Sequence, residues 1–151
     1  MFRLKKPSDI FSARQLESIK QAVADAEKLT SGEIRVVVRS KCEKGLSPKE
    51  QAIKDFQTHS LDKTADRTGV LILIILNKKQ IEVIGDRGIN EKVPNGYWEE
   101  VVDLITYGFK QREPVVGINA AVKKVGRLLQ EKFPLKSGDV NELPNDVVLG
   151  K

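Results

Sequence analysis

Apolar positions in the first third of the chain follow first helical and then strand spacing. Ser12 is an N-cap residue, and the helix it predicts ends at Gly32. Its inner stripe is Leu16, Ile19, Val23, Ala26 and Leu29. The next stretch, EIRVVVRS, is dense in β-branched residues and predicts a strand. Ser47 and Pro48 then mark the start of a second helix. Its inner residues are predicted to be Ala52, Ile53 and Phe56.

The middle of the chain contains a run, GVLILIIL, that is apolar at every position after its glycine. Such a run is typical of a central strand covered on both faces. The turn NKK and the alternating stretch QIEVIG follow, so these two strands are predicted to be antiparallel. Two helical patterns close the series. Their inner residues are Trp98, Val101, Val102, Ile105 and Phe109 in the first, and Val116, Ile118, Ala121, Val122, Val125 and Leu129 in the second.

The order of the elements predicts an α/β fold built as a three-layer α/β/α sandwich with a small mixed sheet. The first two strands are joined by a helix, so we expect a right-handed crossover that makes them parallel, with the third antiparallel. Residues 1–134 are predicted to form a single domain. The polar stretch 135–151, which contains KSGDVNELPNDVVLGK, is predicted to be a tail that lies extended over the surface or is partly disordered.

Charge and composition narrow the classes of partner. The net charge is +5 and the pI about 9.3, but basic and acidic residues are mixed throughout, and only 5% of residues are aromatic. Nucleic-acid binders concentrate basic charge and interleave aromatics, so no nucleic-acid partner is expected. The longest apolar run, Val70 to Leu76, is far too short to span a membrane. The basic N-terminus lacks the apolar segment of a signal peptide, and Cys42, the single cysteine, is predicted to be an exposed loop thiol. These features predict a cytoplasmic protein.

Strand direction brings three carboxylates to one edge of the sheet. Glu33 opens the first strand, Asp66 precedes the second, and Asp86 follows the third, which runs the opposite way. Arg67 and Arg87 are the chain neighbours of the two aspartates. Three interpretations stay open: an Asp–Arg network that fixes two loops, a site for a hard divalent cation, and a metal-free catalytic carboxylate.

The stretch IGDRGINE, residues 84–91, overlaps the end of QIEVIG and has two glycines around an Asp–Arg pair, and its Asn90 and Glu91 have no helix or strand pattern of their own. It lacks the spacing of a dinucleotide or P-loop motif, so a phosphate cradle is weakly supported. Gly85 and Gly88, and also Gly69 before the second strand, are predicted to supply a positive φ. His59 has no nucleophile in a recognisable arrangement, and Trp98 is predicted to be a packing anchor or the wall of a groove beside Asp86.

Four stretches together resemble the TPM domain family: TSGEIRVVV, KTADRTGVLILIIL, IEVIGDRGINEKVP with YW soon after, and VGINAAVKKVGRLLQEKFP. The family includes the thylakoid lumen acid-phosphatase-like protein, photosystem II repair proteins, a nematode receptor modulator and many bacterial proteins. The resemblance runs from about Phe11 to Pro134, and this chain is similar to short, anchorless bacterial members. Typical members are exported or membrane-anchored, whereas neither signal nor anchor is seen here.

The resemblance implies an α/β/α sandwich and a cation site at the paired loops. It points to Asp66 and Asp86 as ligands of Ca²⁺, or alternatively Mg²⁺, with Glu33 as a further ligand. Arg67, Arg87 and Asn90 are candidates at the edge of the site. Two functions follow from the resemblance: a binding or assembly module with an unidentified protein partner, and a metal-dependent acid phosphatase acting on phosphomonoesters. The residues themselves supply no nucleophile, so whether the protein is an enzyme stays open and the module is favoured.

Overall fold

The computed structural model describes residues 4–135 and 147–150, in which a four-stranded mixed sheet lies between two helical layers. The helices are α1 (Pro7–Ile10), α2 (Ala13–Glu27), α3 (Pro48–Thr58), α4 (Arg87–Asn90), α5 (Tyr97–Lys110) and α6 (Pro114–Lys132), and the strands are β1 (Glu33–Arg39), β2 (Gly69–Ile75), β3 (Gln80–Gly85) and β4 (Val148–Gly150). The strand order is β3-β2-β1-β4. β1 is parallel to β2 and β4, and β2 is antiparallel to β3. The predicted α/β sandwich with a mixed sheet is therefore confirmed.

The two faces of the sheet belong to two separate hydrophobic cores. On one face, Ile34, Val36 and Val38 of β1 pack with buried residues of α2, α5 and α6. On the other face, Val37 packs with residues of α3. Every residue of β2 is buried because alternate side chains enter alternate cores. This confirms that GVLILII is a central strand covered on both sides.

The predicted starts of α2 and α3 are both confirmed by capping boxes. The Gln15 backbone N–H donates to Ser12 Oγ at 3.1 Å, and the Ser12 N–H donates to Gln15 Oε1 at 2.8 Å. Ser47 and Glu50 repeat the arrangement at 3.1 and 3.0 Å. Each box satisfies two backbone donors that a helix start otherwise leaves without a partner.

The predicted end of α2 at Gly32 is wrong. The helix ends at Glu27, and Leu29, expected on the inner stripe, is 64% exposed. The chain leaves the helix early because the Glu27 carboxylate accepts the Ile34 N–H at 2.7 Å, which turns the backbone into β1. Gly32 instead allows close packing, since a Cβ there would lie 2.6 Å from a methyl of Leu129.

Two further inner residues, Ile53 of α3 and Val116 of α6, are exposed rather than buried. In α3 the buried positions include the polar residues Gln51 and Asp55. Asp55 lies opposite Arg39 of β1, whose Nε and Nη2 donate to its two carboxylate oxygens at 2.8 and 2.7 Å. The inner face of α3 is thus partly polar because β1 presents an arginine to it.

The prediction that Cys42 is an exposed loop thiol is also wrong. Its side chain is 8% exposed and packs in the core beneath α3. Burial raises the pKa of the thiol, although the nearby positive charges of Lys78 and Arg39 act in the opposite direction. Cys42 is therefore a small apolar core residue without an activated thiolate.

The end of the chain adds a strand that its polar sequence did not predict. Val148–Gly150 pairs in parallel with Val37–Arg39 of β1. The tail predicted over 135–151 falls largely on residues 136–146, outside the described residues. Among the described helices, none is both long and apolar enough to cross a membrane.

Candidate functional site

The starts of β1 and β2 and the end of β3 lie at one edge of the sheet, as the strand directions predicted. Glu33 is in register with Gly69, and Val70 is in register with Gly85. The loop before β2 and the loop after β3 therefore meet at this edge. We call residues 64–68 and 85–90 the paired loops.

The paired loops are in direct backbone contact at Gly88. A Cβ on Gly88 would lie 2.1 Å from the carbonyl oxygen of Asp66 and 2.7 Å from that of Arg67. The prediction of a positive φ at Gly69, Gly85 and Gly88 is wrong, because none of the three adopts it. Close packing requires a glycine at all three positions. In the paired loops, the left-handed backbone conformation occurs instead at Arg67, with φ 56°.

Arg67 connects the two loops through Asp86 rather than pairing with its chain neighbour. Its Nε donates to Asp86 Oδ2 at 2.8 Å and its Nη2 donates to Oδ1 at 3.2 Å. Asp86 is also the N-cap of α4, where its Oδ1 accepts the Arg87 N–H at 2.7 Å. The sequence predicts no helix at the end of IGDRGINE, whereas the structure shows one helical turn there, α4 at Arg87–Asn90.

The electrostatics of Asp86 favour its ionised form. Burial by itself raises the pKa of this carboxyl, since it disfavours a charge. The Arg67 hydrogen bond, the Arg87 N–H and the charges of both arginines outweigh burial and hold the pKa below its ordinary value. The same hydrogen bond raises the pKa of Arg67. Asp86 is therefore an anion, and the Arg67 guanidinium of the same protein supplies its counter-charge.

The other two predicted carboxylates differ sharply in exposure. Asp66 is exposed, and Ser31 Oγ donates to its Oδ2 at a long 3.4 Å. Glu33 is only 3% exposed and has interactions of its own. Asp66 is thus the carboxylate of this edge that is open to a solute, whereas Glu33 belongs to the interior.

Asn90 and Trp98 hold the second loop from the side of α5. Asn90 Nδ2 donates to the Gly85 carbonyl at 2.8 Å, and Trp98 Nε1 donates to Asn90 Oδ1 at 2.9 Å. A Cβ on Gly85 would lie 2.4 Å from the indole ring. Trp98 is therefore a packing anchor for the paired loops, one of the two roles expected from the sequence.

In the part of the chain that the structure describes, two buried oxygens in or near the first loop have no hydrogen-bond partner. They are Asp62 Oδ1 and Thr68 Oγ1, and Thr68 is fully buried. The Asp62 charge acts on Arg67, which places this carboxylate near the same guanidinium. The paired loops thus combine an exposed carboxylate, a buried carboxylate and the buried Thr68 hydroxyl, and oxygen atoms of this kind suit hard cations. Within 4–135 and 147–150, no group of three or more His, Cys, Asp or Glu side chains could hold a metal ion.

Sequence comparison connects most of the chain with one family. A sequence model of the TPM domain matches residues 4–128. No curated protein sequence matches the chain significantly.

Three solved structures show the same fold. The BA42 protein from the psychrophilic bacterium Bizionia argentinensis is 32% identical, with a TM-score of 0.84 over 97% of this chain and 99% of that one. The N-terminal domain of a protein from P. gingivalis is 15% identical, with a TM-score of 0.67 over 87% of this chain and 96% of that one. The N-terminal domain of cg2496 from Corynebacterium glutamicum is 12% identical, with a TM-score of 0.63 over 90% of this chain and 84% of that one. At such low identities the last two show the fold alone.

Proposed function

The chain belongs to the TPM domain family, and on that basis we propose that it is a binding or assembly module whose paired loops take up a divalent cation. Calcium is the proposed ion and magnesium the alternative. Asp66 and Asp86 are the proposed ligands, with Glu33 behind them. The observation that carries the proposal is the buried Asp86 carboxylate, which is held ionised at a junction of two loops.

Arg67 is the group that a cation would have to replace. In the structure it occupies both oxygens of Asp86, so the positive charge at this position is already supplied. Its side chain is 44% exposed, however, so it can turn to solvent without crossing the core. We therefore expect calcium and Arg67 to compete for Asp86.

The donors around Asp86 support a hard cation over a transition metal. Asp66 is exposed at the same edge, and the backbone carbonyls of the first loop lie against Gly88. Calcium takes six to eight oxygen ligands in flexible geometry, including carbonyls and water. A cation held there would stiffen the contact between the loops and present a defined edge to a protein partner. The proposed setting is the cytoplasm, in keeping with a single buried cysteine, and no nucleic-acid partner is proposed.

Competition with Arg67 gives a direct test of cation binding. ¹⁵N-labelled protein is titrated with Ca²⁺ and separately with Mg²⁺, and affinity is measured by calorimetry. We expect weak binding to the unchanged protein, on the order of 10⁻⁴ M, with shifts confined to the paired loops. Arg67→Gln should bind about tenfold more tightly because Asp86 is released, and Asp86→Asn should abolish binding.

Asp25→Asn is the matched control, since it removes one carboxylate from an exposed helical pair. It should leave calcium affinity unchanged. If neither the unchanged protein nor Arg67→Gln shows a cation-dependent change in the paired loops at millimolar concentrations, the cation site does not exist.

The phosphatase alternative is favoured by one observation, the exposed Arg87 beside Asp86. An exposed guanidinium there can hold a phosphoryl oxygen, and a bound cation would offset phosphate charge. The described residues of the paired loops offer no Ser, Cys or His nucleophile within them. Hydrolysis of an aryl phosphate, measured across metals and pH, decides between the functions. Turnover that is lost in Asp86→Asn and with chelator would replace the module by the enzyme.

A further inference from the structure

A cavity of about 430 Å³ lies at the other end of the sheet from the paired loops. Its volume falls within the range of about 300–1,000 Å³ that is usual for small-molecule sites. The walls are formed mainly by apolar side chains from α1, the end of β2, the start of β3 and the last turn of α5. They include Ile10, Ile74, Leu76, Ile81 and Phe109. The cavity is therefore an apolar concavity built from four elements.

Three lysines also line this cavity: Lys5, Lys79 and Lys110. All three are exposed residues, so their ammonium groups reach solvent. Within the described residues, none of these ammonium groups forms an ion pair or a side-chain hydrogen bond. This contrasts with Lys54 and Lys124, which pair with carboxylates at 3.1 and 3.0 Å. The cavity thus combines apolar walls with uncompensated positive charge.

The cavity lies where β2 ends and β3 begins, beside the last turn of α5. The paired loops lie at the opposite, amino edge, so the two sites are independent.

We propose that this cavity binds an aliphatic carboxylate, with the hydrocarbon chain against the apolar walls and the carboxylate among Lys5, Lys79 and Lys110. Charge complementarity selects an anion, because among the residues that the structure describes these lysines have no paired carboxylate and no acidic side chain lines the cavity. Apolar walls select a hydrocarbon chain over a small polar anion such as inorganic phosphate. The concave shape selects a single chain over the flat surface of a bilayer.

A series of carboxylates of increasing chain length tests the role of the apolar walls, and the matching alcohol tests the role of the lysines. ¹⁵N-labelled protein is titrated with hexanoate, octanoate and decanoate, all below their micellar concentrations, and affinity is measured by calorimetry. Each added CH₂ should raise affinity by about fourfold until the cavity is filled. The perturbed amides should lie in residues 79–81 and 106–110. Decanol, which lacks the charge, should bind at least about tenfold more weakly.

Substitutions test the lysine charges and the apolar walls separately. Lys5→Gln, Lys79→Gln and Lys110→Gln should each weaken decanoate binding about two- to fivefold. Lys49→Gln, at an exposed position of α3, is the matched control and should have no effect. Thr106→Phe should abolish binding by filling the cavity while keeping the charge, and its amide spectrum shows whether it is folded.

Three results would overturn the inference. The first is decanol binding as tightly as decanoate, and the second is decanoate-induced amide shifts that map outside the cavity. The third is association with vesicles of phosphatidylglycerol, but not phosphatidylcholine, together with no response to free carboxylates, which would make the lysines a membrane contact.

Discussion

Replacing Asp55 by Asn removes one charge from the interior while keeping the shape of the side chain. Asp55 is 1% exposed and accepts two hydrogen bonds from Arg39 and one from Gln51 Nε2, at 3.1 Å. The asparagine amide can accept at one oxygen only, so its NH₂ group faces a donor of Arg39. The guanidinium then stays buried between β1 and α3 without an anion.

The expected cost follows from the burial of this pair. Breaking a buried ion pair by removing one partner costs about 3–5 kcal/mol. The Arg39 side chain is 16% exposed, so some water reaches it and the lower end, about 3 kcal/mol, applies. For a chain of this size each kcal/mol lowers Tm by about 2–4 °C. Asp55→Asn should therefore lower Tm by about 6–12 °C.

Urea and thermal unfolding, followed by circular dichroism at pH 7, measure the loss. Asp25→Asn is the control, because its partner Lys28 lies 3.6 Å away and both side chains are more than half exposed. That substitution should cost less than about 0.5 kcal/mol. The double variant Arg39→Met/Asp55→Leu should recover at least half of the loss, since no charge is left buried. If Asp55→Asn costs no more than Asp25→Asn, the pair is not a determinant of stability and the reasoning is refuted.

Two further predictions concern the paired loops and the pH dependence. Gly88→Ala should lower the free energy of unfolding by about 1–3 kcal/mol, because the new Cβ meets the Asp66 carbonyl. It should also shift the amide NMR signals of both loops. Gly45→Ala is the control: a Cβ there has nothing within 4 Å, so those signals should stay in place. The pKa of His59 lies below its ordinary value, first because of burial and then because of the Arg35 charge. The unfolded chain therefore binds the proton more readily, so His59 contributes stability that is present above about pH 6.5 and is lost as the pH falls through the lowered folded pKa. His59→Gln should flatten the decline in urea midpoint between pH 7 and 5, and an unchanged decline would contradict this.

Strongly periodic segments made most of the fold predictable. The capped starts at Ser12 and Ser47, and the doubly apolar β2, depend on local chemistry and on a simple repeat. Strand direction alone then brought the loops of Asp66 and Asp86 to one edge. These inferences need only the order of the elements and not the packing between them.

Contacts between distant segments were not predictable from the sequence. Gly88 reads as a turn residue, but its role depends on a carbonyl from the other loop. Asp55 and Gln51 are spaced i, i+4 on the same stripe as Ala52 and Phe56, and that spacing was the available signal. To interpret this spacing, one would also need to know that the Arg39 side chain points to α3. Cys42 was misjudged for the same reason, since its polar neighbours do not reveal the core beneath it.

Two bidentate arginine–aspartate pairs occur among the residues that the structure describes, and they differ in exposure. Arg39 and Asp55 are both largely buried, whereas Arg67 keeps 44% of its side chain in contact with water above a buried Asp86. An arginine that is already partly hydrated loses less when it leaves its partner, and salt weakens such a pair more than a buried one. Added salt should therefore loosen Arg67 from Asp86 while leaving Arg39 in place on Asp55. Amide shifts of the paired loops that respond to NaCl, with none in α3, would show this difference directly.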